Sequence, residues 1–410
     1  MESRRPSFVA LVAGAAVCAA AVSWLFVEHL GAVPAQRLVD LDVYRGAGRA
    51  VVHGADLYRF VGHPPQRLPF TYPPFAALLA VPLAWMSFGV AGWVWSVGEV
   101  ALTVVITWLS FRRVWPRCGR WWPLALGLLA GAMQQMLPLR DEIKFGQVDE
   151  LLVALCAADL LLLSRARTQG ALVGLATAIK LTPGVFIIYL LVTGRRRAAA
   201  VAAGTFTAAT LLAAGLLPGD SKSFWTDALW HSERLRSNSN TSNQSLRGMW
   251  LRAVSDPHVV TGLWIASAVV VAIVGFQRAT RAHAAGDELL GVALTGLLAV
   301  LLSPVAWIHH LCWLPLLLGA LVADGRDRRR LLAAATVFAF YVVKVPWIGA
   351  HLLNGAAPTA MARVIEDGYG LMAIVLLVTV RPTSFQQMFT HLAPTVTVRH
   401  TESRIPGGAT

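Results

Sequence analysis

The chain has 410 residues, is 56% hydrophobic and 14% charged, and carries a formal net charge of +13. A soluble chain of this length needs charged surface for two or three domains, whereas here apolar runs recur from end to end, many near the ~20 residues a spanning helix requires. The positive charge does not mark a nucleic-acid binder, because the arginines sit in short clusters between apolar runs, as at the cytoplasmic ends of membrane helices.

In chain order, Arg4 and Arg5 precede an apolar run over 8–30. It is long for the core of a signal peptide and no clear cleavage site follows, so an uncleaved first helix is expected. Further spans are predicted near 89–111, 121–138, 147–164, 169–181, 183–194, 198–217, 259–277, 287–303, 305–323, 331–349 and 367–381. The two segments that meet between Lys180 and Pro183 are short and read as a hairpin or a broken helix. Residues 73–88 read as a re-entrant segment. The expected fold is all-α, a single polytopic domain over 1–381 with about ten to thirteen membrane segments. A polar, disordered cytoplasmic tail is expected over 382–410. Cys18, Cys118, Cys156 and Cys312 are scattered and form neither a disulfide framework nor a zinc spacing.

The basic clusters are Arg4-Arg5, Arg112-Arg113 with Arg117 and Arg120, Arg165 with Arg167, Arg195 to Arg197, Arg278 with Arg281, and Arg326 with Arg328 to Arg330. Placing all of them in the cytoplasm gives a consistent alternation of spans. Asp40 and Asp42, the turn Met136 to Gln147, Lys180 to Pro183, the loop 218–258 and Ser303 to His310 then share the non-cytoplasmic face.

The segment Asp40 to Phe60 reads as an amphipathic helix on the membrane surface. At helical spacing Asp42, Arg45 and Arg49 share one face, which predicts a solvated pair between Asp42 and an arginine. Asp40, Tyr44, Ala47 and Val51 share another, largely apolar face. Asp40 is therefore either an N-cap for the helix or a functional acid beside the first span. The stretch Leu68 to Phe75, with Tyr72 at its centre, is an interface anchor or an aromatic wall beside a lipid or sugar. Lys180 lies in an apolar run, where a lysine snorkels, pairs or faces water; the functional alternative is a cation for a phosphate. Asn240 to Ser245 could hydrogen-bond sugar hydroxyls or simply solvate a loop. Trp307, His309 and His310 stand at a membrane boundary, where the imidazoles could pack, shuttle protons or meet an anion. Neighbouring helical residues point about 100° apart and no second acid or HxxxH completes a zinc site, so no metal is expected.

Six segments, LVDLDVYRGAGRAVVHGADLY, LPFTYPPFAALL, GQVDELL, ATAIKLTP, SNQSLRGMWLR and SPVAWIHH, occur in this order. Together, over about residues 35 to 325, they resemble the actinobacterial glycosyltransferases of family 87 (GT87), of the GT-C class. One departure is Asp149 in GQVDELL, where such proteins often have Asn. The resemblance implies a polytopic helical fold and transfer of mannose from a polyprenyl-phosphate donor to a 2-hydroxyl of a lipid-linked mannoside. The acceptor would be a phosphatidylinositol mannoside or the mannan of lipomannan or lipoarabinomannan. Asp40, matching a DLxVY pattern, would be the general base. Asp42, Tyr44, Tyr72, Gln147, Lys180, Asn243, Gln244, Trp307, His309 and His310 become candidate substrate contacts. A β-linked donor and an α product imply one inverting displacement, with no metal or other cofactor. The remaining partners would be membrane lipids.

Two other functions share this composition. A transferase using polyprenyl-phosphate-arabinose would keep the fold and the base. A flippase for lipid-linked sugars would place polar residues across the membrane depth, and Glu99 and Asp159, inside predicted spans, are the features that favour it.

Overall fold

In a computed structural model, residues 6–31, 38–64, 67–231, 238–355 and 358–382 are described. Arg4 and Arg5, and the tail expected beyond Pro382, lie outside them. The described residues fold into helices and turns, with two isolated β-bridges, Val61 with Pro69 and Asn243 with Trp307. The all-α expectation holds.

Helix α1 (Phe8–Leu30) is apolar on every side and packs along the helix Trp122–Met133. Glycine makes that pairing possible: a Cβ on Gly127 would lie 2.1 Å from the Gly14 carbonyl oxygen. Backbones that close are the usual way for helices to pack in lipid. Among the described residues, four helices can cross a membrane by length and composition: α1, Phe88–Ser110, Arg196–Leu216 and Pro257–Ala284. A fifth is the pair Arg328–Val342 and Val345–Leu352, bent by 51°. Their outward residues, such as Val90, Trp93, Val94 and Val97, are exposed and apolar, as a lipid-facing surface demands.

The other expected spans are realised as shorter helices. Residues predicted as 169–181 and 183–194 become Ala171–Ile179 and Val185–Val192. Lys180 between them is extended (φ −148°, ψ 133°), and Thr182–Gly184 form a 3-10 turn. This is the broken helix, and Pro183, with no N–H to donate, sits at the break. The span predicted at 305–323 starts with a 3-10 turn, Ile308–Leu311, and turns α-helical only at Leu314–Val322. The segment 73–88 resolves into α3 (Pro74–Leu79) and α4 (Val81–Ala84), followed by α5 (Phe88–Ser110).

Helix α2 covers Val39–His53 and stops at Gly54, which takes a left-handed conformation (φ 65°). It does not continue to Phe60 as the hydrophobic pattern suggested, because Gly54 supplies the positive φ that ends a helix. Leu41, Val43, Tyr44 and Ala47 are buried, so α2 is a packed element with one polar flank.

Among the described residues, four of the basic clusters, around Arg113, Arg195, Arg278 and Arg330, gather at one end of the bundle. Arg113 pairs with Asp287, Arg195 with Glu288, and Arg117 donates to the Asp324 carbonyl. Arg330 donates to the carbonyls of Ala320 and Leu321, and Arg278 to that of Val380. The helix Glu288–Leu302 starts among these groups, and a helix of 15 residues rises roughly 22 Å before reaching Ser303. Asp159 belongs to the framework too. Its carboxylate accepts the backbone N–H groups of Gly170, Leu172 and Val173 at 2.6, 2.7 and 3.0 Å, capping the helix Ala171–Ile179. An acid that looked like part of a transport path is thus a helix cap.

Candidate active site

At the far end from the arginines is a cavity of about 410 Å³, lined by Asp40, Tyr72, Gln147, Lys180, Trp307, His309 and His310 among others. Seven separate stretches of chain meet there, and the volume is within the size range of small-molecule sites.

Asp40 is the second residue of α2 and half-buried. It does not cap the helix: the N-cap position is Leu38, in a left-handed conformation (φ 48°), and no side-chain cap bond forms. That conformation is costly for a leucine and turns the chain so that Asp40 enters the cavity. Burial pushes the Asp40 carboxyl up to about 7, opposed by the charge of Lys180 and by a hydrogen bond from Gln147, while Asp149 adds to the rise. Tyr44 follows one turn later on the same face. Its hydroxyl lies 2.8 Å from that of Tyr72 and donates to Gln147 Oε1 at 3.0 Å. The Tyr72 hydroxyl lies 3.4 Å from the same oxygen. Gln147 reaches this position because Gly146, in a left-handed conformation (φ 67°), lets the turn press against α2. A Cβ there would lie 2.8 Å from the Leu41 Cβ.

Lys180 neither snorkels nor stands alone. Its ammonium donates to both oxygens of Asp149 at 2.8 Å and lies 3.1 Å from His310 Nε2 and 5.5 Å from the centre of the Tyr72 ring. An ammonium has only donors, so His310 Nε2 must accept; His310 is neutral, with its proton on Nδ1. His309 packs edge-on against His310 and Phe145, and its buried Nε2 has no hydrogen-bond partner. Asp149, His309 and His310 bring ligand atoms within 4.8 Å of one another. The acid that sequence spacing failed to supply for a metal is therefore present. The Lys180 ammonium, however, already binds both Asp149 oxygens and the His310 nitrogen, and a divalent ion would have to displace it.

Four candidate contacts do not line the cavity, Tyr44, Asp42, Asn243 and Gln244, and of these Tyr44 is buried behind the wall, where its hydroxyl holds Tyr72 and Gln147. Asp42 does not pair with Arg45 or Arg49. Its carboxylate accepts the His63 backbone N–H at 3.1 Å and lies 2.7 Å from His63 Nδ1, in a second, outward-facing hollow. Arg45 is instead buried and donates through Nε to the Met86 carbonyl at 3.0 Å. Helical spacing put the three residues on one face correctly, but it could not see the chain return at His63 and Met86. Asn243 and Gln244 are fully buried, and their side chains serve the loop itself. Asn243 Oδ1 accepts from the backbone of Ala306 and Ser245; Gln244 bonds the backbone of Thr241, Glu366 and Gly370. They carry Trp307 and the histidines into position, while Asn240 and Ser242 line the cavity instead. Leu68, Pro69, Thr71, Tyr72 and Pro73 line one side of the cavity, with Tyr72 the one aromatic among them, while Phe70 is buried beneath.

A carboxyl poised near neutrality shares the cavity with a buried cation and two imidazoles, in a helical protein with membrane-spanning segments, an arrangement able to move a proton and meet a negative charge. The sequence pattern of glycosyltransferase family 87 matches residues 70–304, and the chain belongs to that family. It is a glycosyltransferase. The chain is 31% identical over 389 residues to the polyprenol-phosphate-mannose-dependent alpha-(1-2)-phosphatidylinositol mannoside mannosyltransferase of Mycobacterium tuberculosis, covering 88% of this chain and 89% of the relative. The protein of the same name from Mycolicibacterium smegmatis is 32% identical over 75% of each chain. The polyprenol-phosphate-mannose-dependent alpha-(1-2)-phosphatidylinositol pentamannoside mannosyltransferase of Mycolicibacterium smegmatis is 33% identical over 83% of this chain and 81% of its own. No solved structure matches.

Proposed function

We propose that this glycosyltransferase moves mannose from a polyprenyl-phosphate-mannose donor to a 2-hydroxyl of a phosphatidylinositol mannoside, on the extracytoplasmic face of the membrane. The names of its relatives support the donor and favour this acceptor over lipomannan or lipoarabinomannan. The single observation that carries the chemistry is Asp40, half-buried in the same cavity as Lys180 and His310. The gathering of basic clusters at the opposite end supports the outward-facing site.

Asp40 takes the proton of the acceptor 2-hydroxyl as that oxygen attacks the anomeric carbon. The bond from that carbon to the phosphate oxygen breaks on the opposite side, its electron pair leaving with the phosphate, so configuration inverts. A carboxyl titrating near 7 is matched to this task, since a useful base is ionised at working pH yet still basic enough to accept a proton. The leaving phosphate gains negative charge, and the Lys180 ammonium, with His310 beside it, meets that charge. Asp40 then returns its proton to water. Because the nucleophile is a sugar hydroxyl, no water and no metal is required to generate it.

The test is Asp40→Asn, assayed by transfer of radiolabelled mannose from polyprenyl-phosphate-mannose to purified phosphatidylinositol mannosides. Loss of ~10²–10⁴-fold in turnover, with the protein still folded, is the expected result for removal of a general base. Near-normal turnover would overturn the assignment, and equal use of polyprenyl-phosphate-arabinose would overturn the donor.

A further inference from the structure

Glu99 lies in the middle of α5, a helix long enough to span the membrane, and is 3% exposed. Among the described residues it has no ion-pair partner within 4.0 Å. An acid so placed is costly and needs an occupation. One of its oxygens has one: Oε1 accepts the indole N–H of Trp95, a turn earlier on the same helix, at 2.7 Å. The other, Oε2, is buried with no hydrogen-bond partner.

Trp95 leads back to the site. Its Nε1 is shared with the Gln147 backbone carbonyl at 3.0 Å, and its ring packs against Tyr44 with centres 5.6 Å apart. Tyr44 in turn donates to Gln147 Oε1. With that oxygen engaged as an acceptor, the orientation of the amide is fixed and Nε2 is its remaining donor, on a residue that lines the same cavity as Asp40. Two contacts from one indole thus hold both the backbone and the side-chain environment of Gln147. An indole with a second, closer acceptor on its own helix is held against rotation.

We propose that Glu99 is a positioning residue for Asp40. By anchoring Trp95 against the Gln147 carbonyl and the Tyr44 ring, it fixes the amide that orients the Asp40 carboxylate. The inference rests on Asp40 being the base. It gives the buried acid of α5 a task in the transferase reaction, without contact to substrate.

The test reads Asp40 directly and separately from turnover. The pH-dependent infrared carbonyl band that disappears in Asp40→Asn reports the titration of Asp40 in the purified full-length protein. In Glu99→Leu the Gln147 amide is no longer held, Asp40 loses a hydrogen bond that favours its ionised form, and the midpoint moves upward. The kcat falls by roughly 10- to 100-fold, the scale of a small misplacement of a catalytic group, with KM for the donor little changed. Glu99→Gln, which keeps an acceptor oxygen for the indole, brings the midpoint back toward that of the native protein. Trp95→Phe cuts the same link from the donor side and carries the test alone should Glu99→Leu fail to assemble. A folded Glu99→Leu or Trp95→Phe protein with an unmoved Asp40 midpoint overturns the proposal. Turnover by Asp40→Asn would instead overturn the base assignment, whatever the infrared midpoint does.

Discussion

Lys180 and Asp149 form a two-point ion pair, the ammonium 2.8 Å from each carboxylate oxygen, with side chains 13% and 9% exposed. Breaking a pair this buried by removing one partner leaves an uncompensated charge. The two partners also act on Asp40 in opposite senses, Lys180 holding its carboxyl down and Asp149 pushing it up. Neutralising each one is therefore expected to move the acidic limb of the pH–rate profile in opposite directions. Asp149→Asn keeps an acceptor for Lys180 and shifts the limb to lower pH, with a lower KM for the anionic donor. Lys180→Met shifts it to higher pH and lowers kcat by ~10²-fold or more, because the leaving phosphate loses its cation. Profiles of kcat/KM for the three proteins check this; shifts of the same sign in both variants would count against it.

Asp40 itself makes activity and stability pull apart. Activity is expected to rise with pH through a midpoint of about 7, as the base ionises. Stability runs the other way. The folded protein keeps the Asp40 proton up to about 7, whereas an unfolded carboxyl loses it near 3.8. Between those values the folded state binds more protons, so this group's contribution to stability falls as pH rises, and it levels off above the folded value. Asp40→Asn removes the penalty. The inactive variant should melt at a higher temperature than the native protein at pH 8 and at nearly the same temperature at pH 4. Melts in detergent at the two pH values test it, and a variant equally or less stable at pH 8 would contradict the burial argument.

Much of this was legible in the sequence because the signals were local. Apolar runs, arginine clusters and the i, i+4 relation of Asp40 to Tyr44 need no tertiary information. What escaped needed the chain to return. The partner of Asp42 is His63, 21 residues on, and that of Lys180 is Asp149, 31 residues back. In the sequence alone Asp149 is only a departure from an expected asparagine. Asn243 and Gln244 looked like sugar contacts because polar side chains in a loop are indistinguishable from ligand contacts until their own loop is seen to satisfy them. Several of the predicted membrane segments, though not those at 8–30, 89–111 and 259–277, are shorter in the structure for a similar reason. Hydropathy reads 331–349 as one span, whereas the helix breaks between Val342 and Val345 and bends by 51°, and it reads 305–323 as helix where Ile308–Leu311 form a 3-10 turn; at Lys180 to Pro183 the break is legible.

The different surroundings of Asp42 and His310 predict unequal effects of mutation. His310 lines the cavity and accepts from Lys180, so His310→Ala removes a contact to the group that meets the phosphate. A loss of roughly 10- to 100-fold in kcat/KM is expected, less than the ~10²–10³-fold that removal of a direct charge-stabilising donor costs, because His310 acts through Lys180. Asp42 bonds His63 in a separate hollow, and a partly exposed pair of this kind contributes ~1 kcal/mol or less to stability. Asp42→Asn is expected to retain activity within about threefold, under the 1.4 kcal/mol that a factor of ten represents. The reverse ranking of the two variants would mean that the hollow around Asp42, rather than the cavity, contacts the substrate.

Chelation provides a further discriminating measurement, because Asp149, His309 and His310 are close enough to share a metal ion. If an ion worked there, it would have to compete with the Lys180 ammonium for both Asp149 oxygens and for His310 Nε2. Proximity of the two positive charges would be unfavourable in a buried site, where Coulomb repulsion is weakly screened. The lysine supplies the charge stabilisation that the leaving phosphate needs. Transfer activity is therefore expected to be unchanged after exhaustive treatment with EDTA and insensitive to added Mg²⁺ or Mn²⁺. Lys180→Met distinguishes the alternatives further, since it vacates the position between Asp149 and His310. Activity lost on chelation and restored by one divalent ion in the native protein would replace the lysine by a metal as the group that receives the phosphate charge.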